Sequence, residues 1–439
     1  MKTCKWSVFC LLVSLLWPAG IEADEPLWRL GREPQNYRLD NGLTVVWQKD
    51  DTVANTVVLL LVRGGDRDDP PGKPGLAYLT GRLALEIPDQ TKLQQLMGFG
   101  SSFSLAVGGD YALISIRSLS RCLEPTLAIM TKILNNPLFS DLRIDGVKDL
   151  MRHLQKMETD NPTEFMRKTL GRSFYGAAAY RAALFGDEAS LARIGKKDIQ
   201  SFFRSHYVAG NMAAVIISDL GEEIIKPLIA GSLGSLPTGP ELPSQPVSVR
   251  KPELPRLTLE RQAEQTHISI SVLLPELSAD RFVLAQLLET WLGKGIGSRL
   301  WPLRSQSDLT YGVNTELAPN KEGMLLSIYL QTDSRRSAAA QAELERLLLT
   351  VVENGVSEAE LATAKAYARA DFWRENENRE RRAATLAFLE GSGLSYRLAG
   401  DFTERLEKIG LAEFNRALRA WLAPERWFSL HIGPPRRGL

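Results

Sequence analysis

Residues 56–62 read Thr-Val-Val-Leu-Leu-Leu-Val, seven positions of β-branched and leucine side chains with no polar face. A run of that length and composition fits a strand covered on both sides. It is followed by Gly-Gly-Asp-Arg-Asp-Asp-Pro-Pro-Gly-Lys-Pro over 64–74, where glycine and proline forbid regular structure, and then by helical spacing from Leu76 to Glu86. Upstream, Tyr37-Arg38-Leu39, the turn Asp40-Asn41-Gly42 and the run Leu43 to Gln48 read as a hairpin, because Asn-Gly supplies the positive φ angles of a tight turn.

Downstream, Phe103 to Ala106 and Tyr111 to Arg117 form a second strand pair around Gly108-Gly109-Asp110. Helical spacing resumes from Leu123 to Leu134, and a long, mostly helical stretch is expected from Asp145 to about Phe203, ahead of a strand from Ala213 to Ile217. Between Leu236 and Leu257 stand Pro237, Pro240, Pro243, Pro246, Pro252 and Pro255, which remove backbone donors and disfavour helix in the residues before them. That segment reads as an extended linker.

The same order of elements then recurs: strand His267 to Leu274, helix Asp280 to Leu292, strand pair Tyr311 to Leu317 and Gly323 to Gln331, helix Ala338 to Val352. Identity between the halves is slight, so the duplication rests on element order and spacing. The expected class is α+β: two tandem duplicated domains, each a mostly antiparallel sheet packed with helices. Their expected bounds are 24–235 and 258–439, with the proline-rich linker at 236–257.

The first residues, Met1 to Ala23, combine Lys2 and Lys5 with an apolar run from Trp6 to Trp17 and a small-residue end at Ala23, the pattern of a secretory signal peptide. That run is too short to span a bilayer, and no later segment is apolar enough. Two of the three cysteines, Cys4 and Cys10, leave with the signal, so no disulfide framework is expected and Cys122 reads as a packed thiol. Net charge is +1, which makes nucleic acid a poor partner. Gly293-Lys294-Gly295-Ile296-Gly297 lacks the spacing of a phosphate loop and follows a helix rather than a strand.

Several short stretches, taken in order, resemble the pitrilysin-like (insulinase, mitochondrial processing peptidase-like) zinc peptidases: Asp40-Asn41-Gly42-Leu43, Gly72 to Ala77, Asn136-Pro137-Leu138-Phe139, Asp160-Asn161-Pro162, Tyr207 with Asn211-Met212, Gly297-Ser298-Arg299-Leu300, and Gly355-Val356-Ser357 with Glu360-Leu361 and Lys365. Active members carry HxxEH on the first helix, two histidines on one face for zinc and a glutamate to activate water. The matching five residues are Tyr78-Leu79-Thr80-Gly81-Arg82, so both histidines and the base are absent. The resemblance puts the third ligand at or near Leu154; Glu158, one turn on, reads as a lone surface glutamate. Independently of any family, the four histidines, His153, His206, His267 and His431, are scattered, and a guanidinium at Arg82 would repel a divalent cation. No metal or other cofactor is expected.

Bacterial two-chain members pair a zinc subunit with a partner that lacks the ligands but supplies an arginine and a tyrosine seven residues apart. Arg304 and Tyr311 stand at that spacing. The resemblance implies a catalytically inactive, periplasmic subunit that binds peptide through Arg304 and Tyr311 and forms a heterodimer with an HxxEH-bearing zinc subunit. The bland reading makes Arg304 a solvated loop residue and buries the Tyr311 ring in the core. The alternative function is a structural or peptide-binding scaffold that has given up proteolysis altogether.

Overall fold

The computed structural model describes residues 32–435 apart from 88, 177, 178, 181, 245, 251 and 306–308. The expected signal peptide lies outside the described residues. In the N-terminal half the chain runs through β1 (Gln35–Arg38), β2 (Thr44–Lys49), β3 (Asn55–Arg63), α1 (Leu76–Ala84), α2 (Gln90–Gly98), β4 (Ser102–Val107) and β5 (Tyr111–Leu119). It continues with α3 (Leu123–Asn135), α4 (Asp141–Asp160), α5 (Pro162–Tyr175), α6 (Glu188–Arg193), α7 (Lys196–His206), β6 (Met212–Ser218) and α8 (Glu222–Leu233). The C-terminal half holds β7 (Arg256–Glu260), β8 (Gln265–Leu274), α9 (Ala279–Gly293), α10 (Trp301–Ser305), β9 (Gly312–Asn320) and β10 (Gly323–Asp333). Helices α11 (Ser337–Asn354), α12 (Glu358–Glu375), α13 (Arg379–Gly391), α14 (Leu398–Lys408) and α15 (Leu411–Trp421) precede the last strand, β11 (Phe428–Gly433).

Strand order establishes the duplication. The first sheet runs β1-β2-β6-β3-β5-β4 and the second β7-β11-β8-β10-β9. With β1 removed the two orders coincide. The parallel pairs among the described residues are also equivalent, β2 with β6 (Thr44 opposite Ala213) and β7 with β11 (Arg256 opposite Ser429). Each sheet therefore ends in an outer strand, β4 or β9, whose other edge has no strand partner among the described residues.

The Asn41-Gly42 turn forms as expected. Gly42 takes φ +94°, and the Asn41 amide donates to the carbonyls of Leu233 and Leu236, tying the hairpin to the end of α8. The expected mostly helical stretch forms, among the described residues, as the four helices α4 to α7, with Gly176 at φ +87° ending α5. One bound is corrected. The linker's last residues, Arg256 and Leu257, already belong to β7, and its earlier part is anchored by backbone bonds such as Ala209 N–H to Pro237 O and Arg250 N–H to Phe174 O.

The seven-residue run opens up as β3, and its two faces enter different cores. Val58, Leu60 and Val62 pack with α1, α3 and α7; Val57, Leu59 and Leu61 pack against α13, a helix of the other half. In return, Met166, Leu170 and Phe174 of α5 pack on Phe428, Leu430 and Ile432 of β11. Each half thus lends one helix to the sheet of the other. Burial of these apolar faces, at roughly 25 cal/mol per Å² removed from water, makes the halves one cooperative unit.

Two buried ionic clusters reinforce that junction. Asp50, at the end of β2, pairs with Arg379 and Arg382 of α13, and all three residues are no more than 5% exposed. Burial alone would push the Asp50 carboxyl upward, but hydrogen bonds from Arg379, Thr52 and Arg382 outweigh it and hold the group far below the usual carboxylate range. The second cluster joins hairpin tips. Arg67 donates to Asp110 (2.7 Å), to the Tyr180 hydroxyl (2.6 Å) and to Glu322 (2.8 Å), while the Lys321 N–H donates to Asp110 (3.1 Å).

Candidate functional site

Helix α1 is aimed by its first turn. Gly75 takes φ +94°, a conformation open to glycine, and the buried Asp69 carboxylate accepts from the N–H groups of Gly75 (2.6 Å) and Ala77 (2.7 Å). Burial pushes the Asp69 carboxyl well up from its ordinary value, and these bonds only partly oppose it. The loop 64–74 thereby fixes where Tyr78, Gly81 and Arg82 lie.

Tyr78 packs edge-on against Phe185, ring centroids 4.9 Å apart, and burial raises its phenol further above neutrality, so it stays protonated. At Gly81 a Cβ would stand 2.9 Å from the Tyr207 hydroxyl and 3.1 Å from a Leu105 methyl. Tyr207 is itself buried, stacked on Phe203 at 4.7 Å, so the space that a glutamate would need is taken by a ring with little freedom to leave. Arg82 is half-buried, with no ion pair among the described residues.

On α4, Leu154 is half-buried and offers no donor atom to a metal. Glu158 departs from expectation: it is a buried residue, 8% exposed, whose carboxylate pairs with Lys168 of α5 at 2.6 Å. The reason is the turn at Asn161-Pro162, which folds α5 back along α4 and brings position 168 beside 158. Among the described residues no group of three or more His, Cys, Asp or Glu side chains is placed to hold a metal ion. A neutral phenol, a glycine walled in by Tyr207, a guanidinium and a leucine do not fit zinc, which takes thiolate, imidazole or carboxylate ligands.

The other two expected site residues lie on the C-terminal half. Arg304 is exposed on the short helix α10, its guanidinium 5.3 Å from the centroid of the Trp301 ring, a cation–π contact within its own turn. Tyr311 leads into the edge strand β9, its N–H donating to Gln331 O, and its side chain is 60% exposed. The ring is therefore outside the core, contrary to the bland reading. Helix α10 packs against β9, which puts both residues on the same flank of the second sheet, with no hydrogen bond between them among the described residues. Cys122 is half-exposed at the N-terminal cap of α3 rather than packed.

Sequence reasoning missed a third group. Glu289 of α9, Asp371 of α12 and Lys294 form a mostly buried triad, with the ammonium 3.3 Å from Glu289 and 3.2 Å from Asp371. Glu289 also accepts from the Leu317 N–H at 3.0 Å, fixing the edge strand β9. Because α9 packs on α12 as α1 packs on α4, the triad occupies the counterpart of the α1 site. Asp371 is 77 positions from Lys294 in sequence, and only the folded helix pair brings it to the triad.

Residues 44–188 match the family model of insulinase (peptidase family M16), and residues 193–367 match that of the peptidase M16 inactive domain. The chain is 23% identical over 413 residues to an uncharacterized zinc protease of Mycobacterium tuberculosis, covering 91% of this chain and 93% of that protein. It is also 22% identical over 390 residues to a Helicobacter pylori protein named non-peptidase homolog YmxG, covering 86% and 88%. Among solved structures it is similar to a peptidase M16 inactive domain from Pseudomonas fluorescens, with a TM-score of 0.82, 22% identity and coverage of 92% of this chain and 98% of that one. It also resembles the periplasmic protease PqqL from Escherichia coli, with a TM-score of 0.75, 15% identity and coverage of 92% of this chain and 46% of that one. The two family models together span well over half of the chain, and the chain belongs to the insulinase-like M16 peptidase family.

Proposed function

We propose that this protein is the non-catalytic subunit of a heterodimeric M16 peptidase in the periplasm, where it completes the chamber of an HxxEH-bearing zinc subunit and binds the peptide through Arg304 and Tyr311. The observation that carries the reading is a contrast between the halves. On α1 the positions of ligands and base hold Tyr78, Gly81 and Arg82, with the base position filled by Tyr207, whereas Arg304 and Tyr311 remain exposed beside an open strand edge.

The chemistry is that of substrate positioning. An extended peptide satisfies its backbone along a sheet edge such as β9 or β4, and a guanidinium or phenol can donate to a peptide carbonyl, including one gaining negative charge at a partner's zinc. With Tyr78, Gly81, Arg82 and Leu154 offering no zinc-donor set, the chain adds binding and orientation and leaves the hydrolytic step to its partner. The expected signal peptide at 1–23 and the periplasmic E. coli neighbour support the compartment. The name of the Helicobacter relative supports inactivity of the isolated chain.

The test is reconstitution. Purified alone, the chain is expected to cleave no peptide; mixed with an HxxEH-bearing M16 subunit from the same organism, it is expected to form a stable pair that does. Activity that does not depend on this chain would contradict the reading, and a stable pair without activity would favour a scaffold.

A further inference from the structure

The inner face of α4 is ordinary: Ile144, Val147 and Met151 enter the N-terminal core. Its outer face is not. Where a surface helix carries polar residues, α4 presents Leu142, Gly146, Leu150, His153 and Met157, all exposed. Leu142 is 82% exposed and Met157 55%. Their spacing alternates between four and three residues, which at about 100° per residue keeps them within ~80° of arc. That is the repeat by which one helix packs along another. A contiguous exposed apolar stripe of this kind marks an interaction surface.

The adjoining arc is charged, and its sign changes along the helix. Asp141, Asp145 and Asp149 stand toward the N-terminus, Arg152 and Lys156 toward the C-terminus. Arg152 is already engaged by Asp149 at 2.6 Å and by Glu188 at 2.8 Å. Asp141, Asp145 and Lys156 have no ion pair among the described residues. A twofold axis perpendicular to the helix and level with Leu150 lays two copies of α4 antiparallel and turns the charged flank of each toward that of the other. Lys156 then meets Asp141 of the second copy. In the same register Leu142 packs on Met157 of the second copy and Leu150 on its own equivalent. The His153 ring enters the space over Gly146, where nothing lies within 4 Å of a Cβ position. The helix dipoles are opposed as well. Because the pattern is complementary to its own reverse, it selects a second copy of this chain.

We propose that the outer face of α4 is a homotypic interface through which two copies of this chain pair antiparallel about a twofold axis near Leu150. A single helix pair lies at the small, transient end of interface sizes, below ~1,200 Å² in total, so the expected dissociation constant is micromolar. The face is separate from Arg304 and Tyr311, and the pairing does not depend on a zinc subunit.

The test is sedimentation velocity of the full mature chain from about 1 to 100 μM, the range that brackets such an affinity. The sedimentation coefficient is expected to rise with concentration toward that of a dimer. Leu142→Glu and Leu150→Glu, at exposed positions, are each expected to weaken association at least ~10-fold with an unchanged circular dichroism spectrum, since the twofold places two carboxylates in an apolar contact. Asp141→Lys and Lys156→Glu are each expected to weaken it about 3-fold, and the double variant to recover most of that loss, because the reversed charges again meet across the twofold. A chain that stays monomeric throughout, a dimer indifferent to Leu142→Glu and Leu150→Glu, or charge reversals whose effects add instead of cancelling would each overturn the proposal. So would loss of an HxxEH-bearing partner in Leu142→Glu while the chain alone remains monomeric, which would assign the face to that partner.

Discussion

The hydroxyl of Tyr207 stands 2.9 Å from the point at which Gly81 would carry a Cβ. Two residues 126 positions apart thus share one volume, and the helix that would bear a catalytic base has been filled from the side by a buried ring. In the proposed reading, the absence of a base at position 81 is consequently a matter of packing as well as of residue identity.

Gly81→Glu is expected to destabilise the fold by about 1–3 kcal/mol, the range for overpacking a filled site. In a Tyr207→Phe background the cost should shrink, because the nearest clashing atom is the hydroxyl. Urea denaturation of the four proteins in a double-mutant cycle measures the coupling, and additivity would show that the two sites do not compete.

Restoring the motif by Tyr78→His, Gly81→Glu and Arg82→His is expected to leave the chain without stoichiometric zinc, since Leu154 supplies no third ligand and Tyr207 holds the base position. Elemental analysis by mass spectrometry reads the outcome.

The Asp50 cluster predicts strong coupling between the halves. Asp50→Asn leaves two buried guanidinium groups without their counter-charge and should cost about 3–5 kcal/mol. Because the folded carboxyl lies far below its unfolded value, its contribution is complete above about pH 4 and is lost as pH falls below that toward the folded value. The gap between wild type and Asp50→Asn should therefore narrow on acidification below about pH 4.

His206 predicts a second pH effect. Burial against Gly64 and a stack on Phe202 (3.8 Å) lower its pKa, more than the Phe202 carbonyl and Asp68 raise it. The folded state then favours the neutral ring, so this stability is complete above the unfolded value near pH 6.5 and is lost as pH falls through the folded value. Relative to wild type, His206→Gln should gain stability between about pH 7 and 5 in thermal melts.

The duplication was legible because strands such as 56–62 and 267–274 advertise themselves by composition, and the Asn41-Gly42 turn by chemistry. The exchange of α5 and α13 between sheets was not, since amphipathic spacing says that a helix has an apolar face and not which sheet receives it. Glu158 illustrates the same gap: a carboxylate reads as surface until the Asn161-Pro162 turn brings Lys168 to it. The absence of HxxEH could be read directly at 78–82, whereas the Tyr207 ring over Gly81 and the Glu289–Lys294–Asp371 triad depend on packing that no local pattern records. Exposure of Arg304 and Tyr311 likewise emerged only from the fold.

The most direct test of the central claim is the rate of cleavage of a fluorogenic peptide by the reconstituted pair carrying Arg304→Ala or Tyr311→Phe, with the mass of the complex measured in parallel. The predicted result is an intact heterodimer whose kcat/KM falls at least ~10-fold, as expected for loss of a donor to the substrate. Wild-type turnover in both variants, or peptide cleavage by the isolated chain with stoichiometric zinc bound, would contradict it.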